Sequence, residues 1–198
     1  MAHHRYQTKA LILGATPLGE ANQFVDMFTE DLGRIKAVAQ SVREERSKLR
    51  FSLQDFSLSE VSLVRGKEVW RLVGAQSEQN FHHELRGKVM ERDVSIRLLS
   101  LLKRLLNGEE ENKELFSVVM DALSFICSHT GNDEEVLKNF ECLVVLRILY
   151  NLGYLAKDEH NAYALEYTQI SYDVINHIAP IRSDLVKHIN ISLQESQL

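Results

Sequence analysis

Over the first eighty residues hydrophobic side chains alternate with polar ones in short bursts, the period-two pattern of half-buried β-strands. Lys9–Gly14 predicts a short strand. In Gln23–Thr29, Val25 and Met27 share one face while Phe24, Asp26 and Phe28 share the other. Gly33–Gln40 sets Ile35, Ala37 and Ala39 opposite Lys36 and Val38. Phe56–Arg65 alternates with a phase slip at Ser59–Glu60, which predicts a β-bulge. Lys67–Gln76 alternates again through Val69, Leu72 and Val73. Turn signals separate these runs at Thr16-Pro17-Leu18-Gly19, Asp31-Leu32-Gly33 and Arg65-Gly66-Lys67. Five short strands with no amphipathic helix among them predict a small barrel, because closing the sheet removes its exposed edges.

From residue 82 the period lengthens to that of a helix. Glu91–Asn107 aligns Val94, Leu98, Leu101, Leu102 and Leu105 and ends at Asn107-Gly108, a C-cap signal. Lys113–His129 does the same with Leu115, Phe116, Val119, Leu123 and Ile126. Asp133–Leu152 opens on an acidic turn, as the helix dipole favours, and stops at Gly153. Its centre, Cys142–Leu146, is apolar all round, which predicts a place in the middle of a bundle. Val174, Ile178, Ile181, Leu185 and Ile189 continue the spacing, with Pro180 kinking or dividing the helix. Residues 154–171, with Tyr154, Tyr163 and Tyr167, fit a loop, a hairpin or a partial helix. The expected architecture is α+β in two domains, a β-barrel over residues 1–81 and an all-α helical bundle over residues 82–198.

Composition narrows the class. A chain of 198 residues that is 44% hydrophobic and 26% charged, with nine glycines and two prolines, is globular and neither collagen-like, mucin-like nor disordered. Cys127 and Cys142 form no CxxC pair, which excludes a disulfide scaffold or a four-cysteine zinc site and points to a reducing cytosol. No apolar run approaches the ~20 residues that cross a bilayer, and Met1-Ala2-His3-His4-Arg5 lacks a signal-peptide core. A cytoplasmic protein with no membrane association is expected.

The net charge of −5 hides an asymmetry. Residues 1–82 carry eleven Lys/Arg against ten Asp/Glu, and residues 83–198 carry twelve against eighteen. Within Arg34–Arg50, Arg34, Lys36, Arg43, Arg46, Lys48 and Arg50 face only Glu44 and Glu45. Such a segment can bind phosphates whatever the rest of the chain carries, because salt screens fields beyond ~8 Å. The bland alternative is a solvated basic loop that pairs with Glu44, Glu45 and neighbouring acids. Trp70, flanked by Lys67 and Arg71, fits either a stacking platform for an unpaired base or a core side chain of a small barrel.

Catalytic signatures are missing. The sequence holds no GxSxG, HExxH, phosphate-binding Gly-rich loop ending in Lys-Ser/Thr, or GxGxxG after a strand. Ser57, Ser59 and Ser62 read as a solvated strand face. His3-His4 and His82-His83 lack the i, i+4 spacing that puts two imidazoles on one helical face. The acidic runs Glu109–Glu111 and Asp133–Glu135 read as a solvated loop and a first helical turn. No enzyme activity, metal or cofactor is expected.

In order along the chain stand Leu11–Leu13, Gly19-Glu20, Phe28-Thr29, Gly33-Arg34 with Ala37-Val38-Ala39, Arg43, Lys48-Leu49 and Leu53-Gln54-Asp55-Phe56. Lys138-Asn139-Phe140-Glu141-Cys142-Leu143 and Leu152-Gly153-Tyr154 follow in the helical part. This series, over about 150 residues, resembles the bacterial recombination mediators of the RecO family. The resemblance implies an N-terminal OB-fold and a non-catalytic role in recombinational DNA repair. It further implies binding of single- and double-stranded DNA, strand annealing, contact with the C-terminal tail of the single-stranded DNA-binding protein SSB, and loading of RecA together with RecR. It would place the protein in the cytoplasm, on the nucleoid.

The candidate DNA-binding residues are then Arg34, Lys36, Arg43, Arg46, Lys48, Arg50, Lys67 and Arg71. Lys138 matches the family's basic residue on the SSB-tail groove; the bland reading is an exposed helix lysine. The chain departs from the family at Asp55, where Pro is usual, at Gln40-Ser41-Val42, where Gly-Ala is common, and at Asn139, where a second cation is usual. It has no cysteine after Cys142 and hence no four-cysteine zinc module. Two other classes stay open: a protein–protein adaptor of the same fold with little DNA affinity, and an enzyme built from dispersed histidines and acids.

Overall fold

A computed structural model describes residues 4–131, 133–167 and 169–195. His3, half of the His3-His4 pair, lies outside them. The chain divides into two compact units, Met1–Glu84 with Leu106–Lys113, and Leu85–Leu105 with Glu114–Leu198.

The first unit is a five-stranded closed barrel made of β1 (Arg5–Leu18), β2 (Asn22–Thr29), β3 (Gly33–Ala39), β4 (Ser57–Arg65) and β5 (Trp70–Asn80). A short helix, α1 (Leu49–Ser52), precedes β4, and α2 (Phe81–Glu84) follows β5. The strand order β1-β2-β3-β5-β4, with β4 pairing back onto β1 and β3 parallel to β5, is OB-like. Alternation sets the interior. Ala10 and Ile12 from β1, Val25 and Met27 from β2, Ile35, Ala37 and Ala39 from β3, Val61 and Leu63 from β4, and Trp70 and Leu72 from β5 form one buried cluster. Each fully buried Ile, Leu, Val or Met side chain contributes about 1.5–3 kcal/mol. Alanines at three of these inward positions leave room for the Trp70 indole, which meets Tyr6 edge-on at 5.2 Å. Val42 and Leu53 join the same cluster, and Leu49 packs against it.

The strands differ from the predicted ones chiefly at their ends. β1 continues to Leu18, so Pro17 stands in the strand opposite Gln23 and the turn shrinks to residues 19–21. β5 begins at Trp70 and reaches Asn80. The β4–β5 register slips between Leu58 and Ser59 and again between Ser62 and Leu63, but the extra residues, Glu78 and Val73, belong to β5; β4, where the phase slip predicts the bulge, pairs with β1 without interruption.

In the second unit α3 (Val89–Leu105), α4 (Lys113–Ser128) and α5 (Glu134–Asn151) are followed by α6 (Ala162–Glu166), α7 (Tyr172–Ile178) and α8 (Arg182–Glu195). α5 touches α3, α6, α7 and α8, and its Phe140 stacks on Phe125 of α4 at 5.3 Å, as its all-round apolar centre predicts. Asp133 caps its N-terminus by accepting from the amides of Glu135 and Val136. Its C-terminus closes with Gly153 at φ +76°, Gly153 N donating to Tyr150 O and Tyr154 N to Leu149 O. Leu152-Gly153-Tyr154 is thus a Schellman stop, and its glycine is there for the left-handed backbone. Pro180 sits in a 3-10 turn that divides α7 from α8.

Within 154–171, where sequence leaves a loop, a hairpin or a partial helix open, the described residues include one short helix, α6. Buried Arg147 of α5 holds it, donating Nε to the Ala164 carbonyl at 3.0 Å and Nη2 to the Tyr167 carbonyl. Burial lowers the Arg147 guanidinium to about 10, still charged at neutral pH.

Gly33 opens β3 at φ +69°, and a Cβ built there would fall inside the backbone of Glu110. Buried Thr29 closes the same turn, its hydroxyl donating to the Gly33 carbonyl at 2.8 Å and accepting from Leu32 N at 3.1 Å. Gly33→Ala is expected to cost about 2–3 kcal/mol, through left-handed strain and displacement of the Glu110 segment. The check is the urea midpoint followed by fluorescence of Trp70, the sole tryptophan.

Candidate nucleic-acid interface

Beyond Ala39 the chain leaves the sheet as a cationic loop, and its two ends are fixed. At the start, Ser41 N donates to Asn22 Oδ1 at 2.9 Å. Arg43 N donates to Ala21 O at 3.0 Å, and its guanidinium Nη1 to Gly19 O at 2.9 Å. The loop is therefore laced to the β1–β2 turn. At the far end, the Ser52 carbonyl accepts from Ser59 Oγ at 2.6 Å and from Ser57 Oγ at 3.3 Å, while Leu49 and Leu53 pack on the barrel core. Ser57 and Ser59 are thus buried anchors and not the solvated face read from their alternation.

Between these anchors Arg46, Lys48 and Arg50 are exposed. Among the described residues none of the three makes an ion pair, and Glu44 and Glu45 pair with none of them. The cations of this loop are not neutralised by its own carboxylates. Ser41 and Phe56, the two non-glycine residues at positive φ among those described, bracket the segment.

The outer face of β2, β3 and β5 continues from the loop. Register places Phe24 opposite Val38 and Val38 beside Arg71, one outward row across three strands. Lys36 projects from the same face with its ammonium 4.9 Å from the Phe24 ring centroid. Beyond Arg71 a groove of about 600 Å³ runs along the β4–β5 hairpin and is lined by Arg65, Lys67, Glu68 and Arg71. Lys36, Arg43, Arg46, Lys48, Arg50, Lys67 and Arg71 are all exposed.

Arg34 stands apart. Its guanidinium forms a bidentate pair with Asp26, Nε to Oδ1 at 3.0 Å and Nη2 to Oδ2 at 2.8 Å, and Nη1 donates to Leu106 O at 3.1 Å. The hydrogen bonds it donates to Asp26 raise its already high pKa further. Its donors serve the barrel and the 106–113 segment.

Trp70 takes the core reading, 5% exposed, with Nε1 donating to Glu109 Oε1 at 2.9 Å. Glu109 also pairs with Arg65 at 3.4 Å, and Arg65 lies over the indole at 5.4 Å from its centroid. Glu109, Glu110 and Glu111 are exposed, as the solvated-loop reading expects, while Glu109 docks the run on Trp70 and Arg65. Lys113 adds a bridge to Asp31 at 3.0 Å. The residues missed by sequence reasoning are Phe24, Phe51 and Arg65, aromatic or cationic side chains set among the cations that it did find.

In the helical unit Lys138 is exposed on α5 but bound to its own helix, 2.9 Å from Glu134 and 3.2 Å from Glu135. Those carboxylates, Glu134 first, hold its ammonium above the ordinary lysine range. It borders a groove of about 290 Å³ between α5 and α8, lined by Cys142, Val145, Arg182, Val186 and Ile189. Arg182 reaches across, Nη1 donating to Glu135 Oε2 at 2.7 Å and Asn139 Oδ1 at 2.8 Å. A cation from α8 thus stands against Asn139, where the sequence lacks one.

Burial pushes the Cys142 thiol up to about 11, which leaves it protonated and unreactive at neutral pH. Among the described residues no group of three or more His, Cys, Asp or Glu is placed to hold a metal ion, and no helix is long and apolar enough to cross a membrane.

Residues 1–81 match the family described as Recombination protein O N terminal. The chain is similar to curated proteins named DNA repair protein RecO. Two from Dehalococcoides mccartyi strains are 33% identical over 138 residues and 32% over 151. One from Salmonella paratyphi B is 30% identical over 154 residues. These alignments take in 70%, 76% and 78% of this chain. The chain spans 54%, 57% and 61% of the length of those relatives.

Trp70 gives an optical check of the docked acidic segment. Glu109→Ala removes the indole's acceptor and the Arg65 partner. It is expected to lower barrel stability by about 1–2 kcal/mol and to change the Trp70 emission of the native protein. An unchanged spectrum and urea midpoint would show that the segment does not rest on the indole.

Proposed function

We propose that this chain, a member of the RecO family through its first 81 residues, is a non-catalytic mediator of recombinational DNA repair that binds single- and double-stranded DNA on its barrel. The observation that carries the reading is the set of unneutralised cations Arg46, Lys48 and Arg50, held on a loop that Arg43 ties to the β1–β2 turn. Two DNA backbones repel each other; a row of fixed cations lowers that repulsion and releases counterions without reading sequence, which is what annealing requires. Lys36, Lys67 and Arg71 extend the row over the sheet's outer face and hairpin. Arg34, engaged by Asp26, contributes by shaping the barrel.

On the helical unit the groove between α5 and α8 has the chemistry for a short acidic peptide ending in an aromatic residue: apolar Val145, Val186 and Ile189 beside Lys138 and Arg182. We assign it to the SSB tail. Cooperation with RecR and indirect loading of RecA on the nucleoid complete the proposal. A second reading, an adaptor with little DNA affinity, draws on the acidic helical half, twelve Lys/Arg against eighteen Asp/Glu over residues 83–198.

The double variant Arg43→Glu/Arg46→Glu separates the two. For a mediator it should weaken oligonucleotide binding more than tenfold in a mobility shift and flatten the log–log salt dependence by about 1–2, with the urea midpoint close to that of the unmodified chain. DNA affinity that is absent from the parent protein would leave the adaptor. For the groove, Arg182→Glu should abolish binding of a synthetic acidic peptide with a C-terminal Phe while leaving DNA affinity intact; retained peptide binding would remove the α5–α8 assignment.

A further inference from the structure

Phe51 is the most exposed large hydrophobic side chain among the described residues, at 72%. It belongs to α1, four residues long, two of whose residues face inward: Ser52 is buried, with its backbone carbonyl bonded to Ser57 and Ser59, and Leu49 packs against the core. The ring is consequently held outward by a fixed backbone. Its surroundings are charged. Arg50 precedes it, Lys48 stands at the N-cap position of the same helix without a side-chain cap, and Arg46 lies in the loop before it, all exposed and without an ion pair among the described residues.

An apolar ring that is solvated costs free energy, and a ring carried on a segment with three exposed cations close by in sequence repels a second copy of the same surface. The complementary ligand offers a flat apolar face flanked by anions. An unpaired nucleobase between two phosphates has that form; a duplex presents the phosphates but keeps its bases stacked. Trp70, the aromatic that sequence offered for this role, is in the core with its N–H bonded to Glu109.

We infer that Phe51 is a stacking platform for an unpaired base of single-stranded nucleic acid whose phosphates pass Arg46, Lys48 and Arg50. This rests on the DNA-binding reading above and adds to it a residue that distinguishes single strands from duplex. The cations bind either form; the ring rewards only the strand whose bases are free.

The experiment is an anisotropy titration of the full chain with labelled oligo-dT and with a blunt duplex of equal length. Phe51→Ala should weaken oligo-dT binding about tenfold, a typical worth for one stacked base, and leave duplex affinity unchanged. Phe51→Leu should fall with the alanine variant, whereas Phe51→Trp should recover the affinity and add an emission that oligo-dT quenches. Equal loss on duplex, no loss on oligo-dT, or full affinity in Phe51→Leu would overturn the assignment, as would a change in sedimenting mass on Phe51→Ala, which would mark a self-association surface. A parent protein that binds neither probe would take the DNA-binding reading down as well. Binding abolished by Arg43→Glu/Arg46→Glu but indifferent to Phe51 would sink this inference alone.

Discussion

Burial of the apolar side chains between β3 and β4 is the constraint on which the rest depends. Val42 and Leu53 enter the barrel core and Leu49 packs against it. Each apolar group that packs inward there fixes the direction of its neighbours, which for Val42 include Arg43 and for Leu49 are Lys48 and Arg50. Displaying the cations and filling the core are two sides of one conformation. The cationic loop is thereby preorganised by hydrophobic burial, and a ligand that used it would meet a conformation that needs little further ordering.

Much of this was legible because it is periodic. Ile35, Ala37 and Ala39 alternate with Arg34, Lys36 and Val38, and burial follows that alternation without exception in β3. The all-round apolar Cys142–Leu146 marks the central helix, whereas the phase slip at Ser59–Glu60 points to the wrong strand, the extra residues being on β5. What escaped is long-range. Nothing local says that Glu109 will meet Trp70, that Asp26 will engage Arg34 across one strand pair, or that buried Arg147 will organise Ala164 and Tyr167. Polar pairs of this kind have no period; they depend on which backbone arrives opposite.

The candidate interface divides along the same line. The cations could be read as a cluster in sequence, and their freedom from Glu44 and Glu45 could not, since adjacent charges pair or diverge according to the backbone between them. Phe51 was invisible for a related reason: a phenylalanine in a chain reads as core until a buried neighbour, here Ser52, takes the inward position. Net charge is silent on this division. An acidic molecule can carry a cationic rim when the acids lie on a different unit or are already used, as Asp26 and Glu109 are.

One arrangement bears on how the protein comes into being. The barrel unit is discontinuous in the chain, because Leu106–Lys113 belongs to it although α3 intervenes. Gly33 keeps room for the backbone of Glu110, and Trp70 waits for its carboxylate. A ribosome that has delivered all five strands has therefore not delivered everything the barrel uses. The nascent domain reaches its final contacts only after a whole helix has followed it out of the exit tunnel, and biosynthesis couples the birth of the two units even though each has its own core.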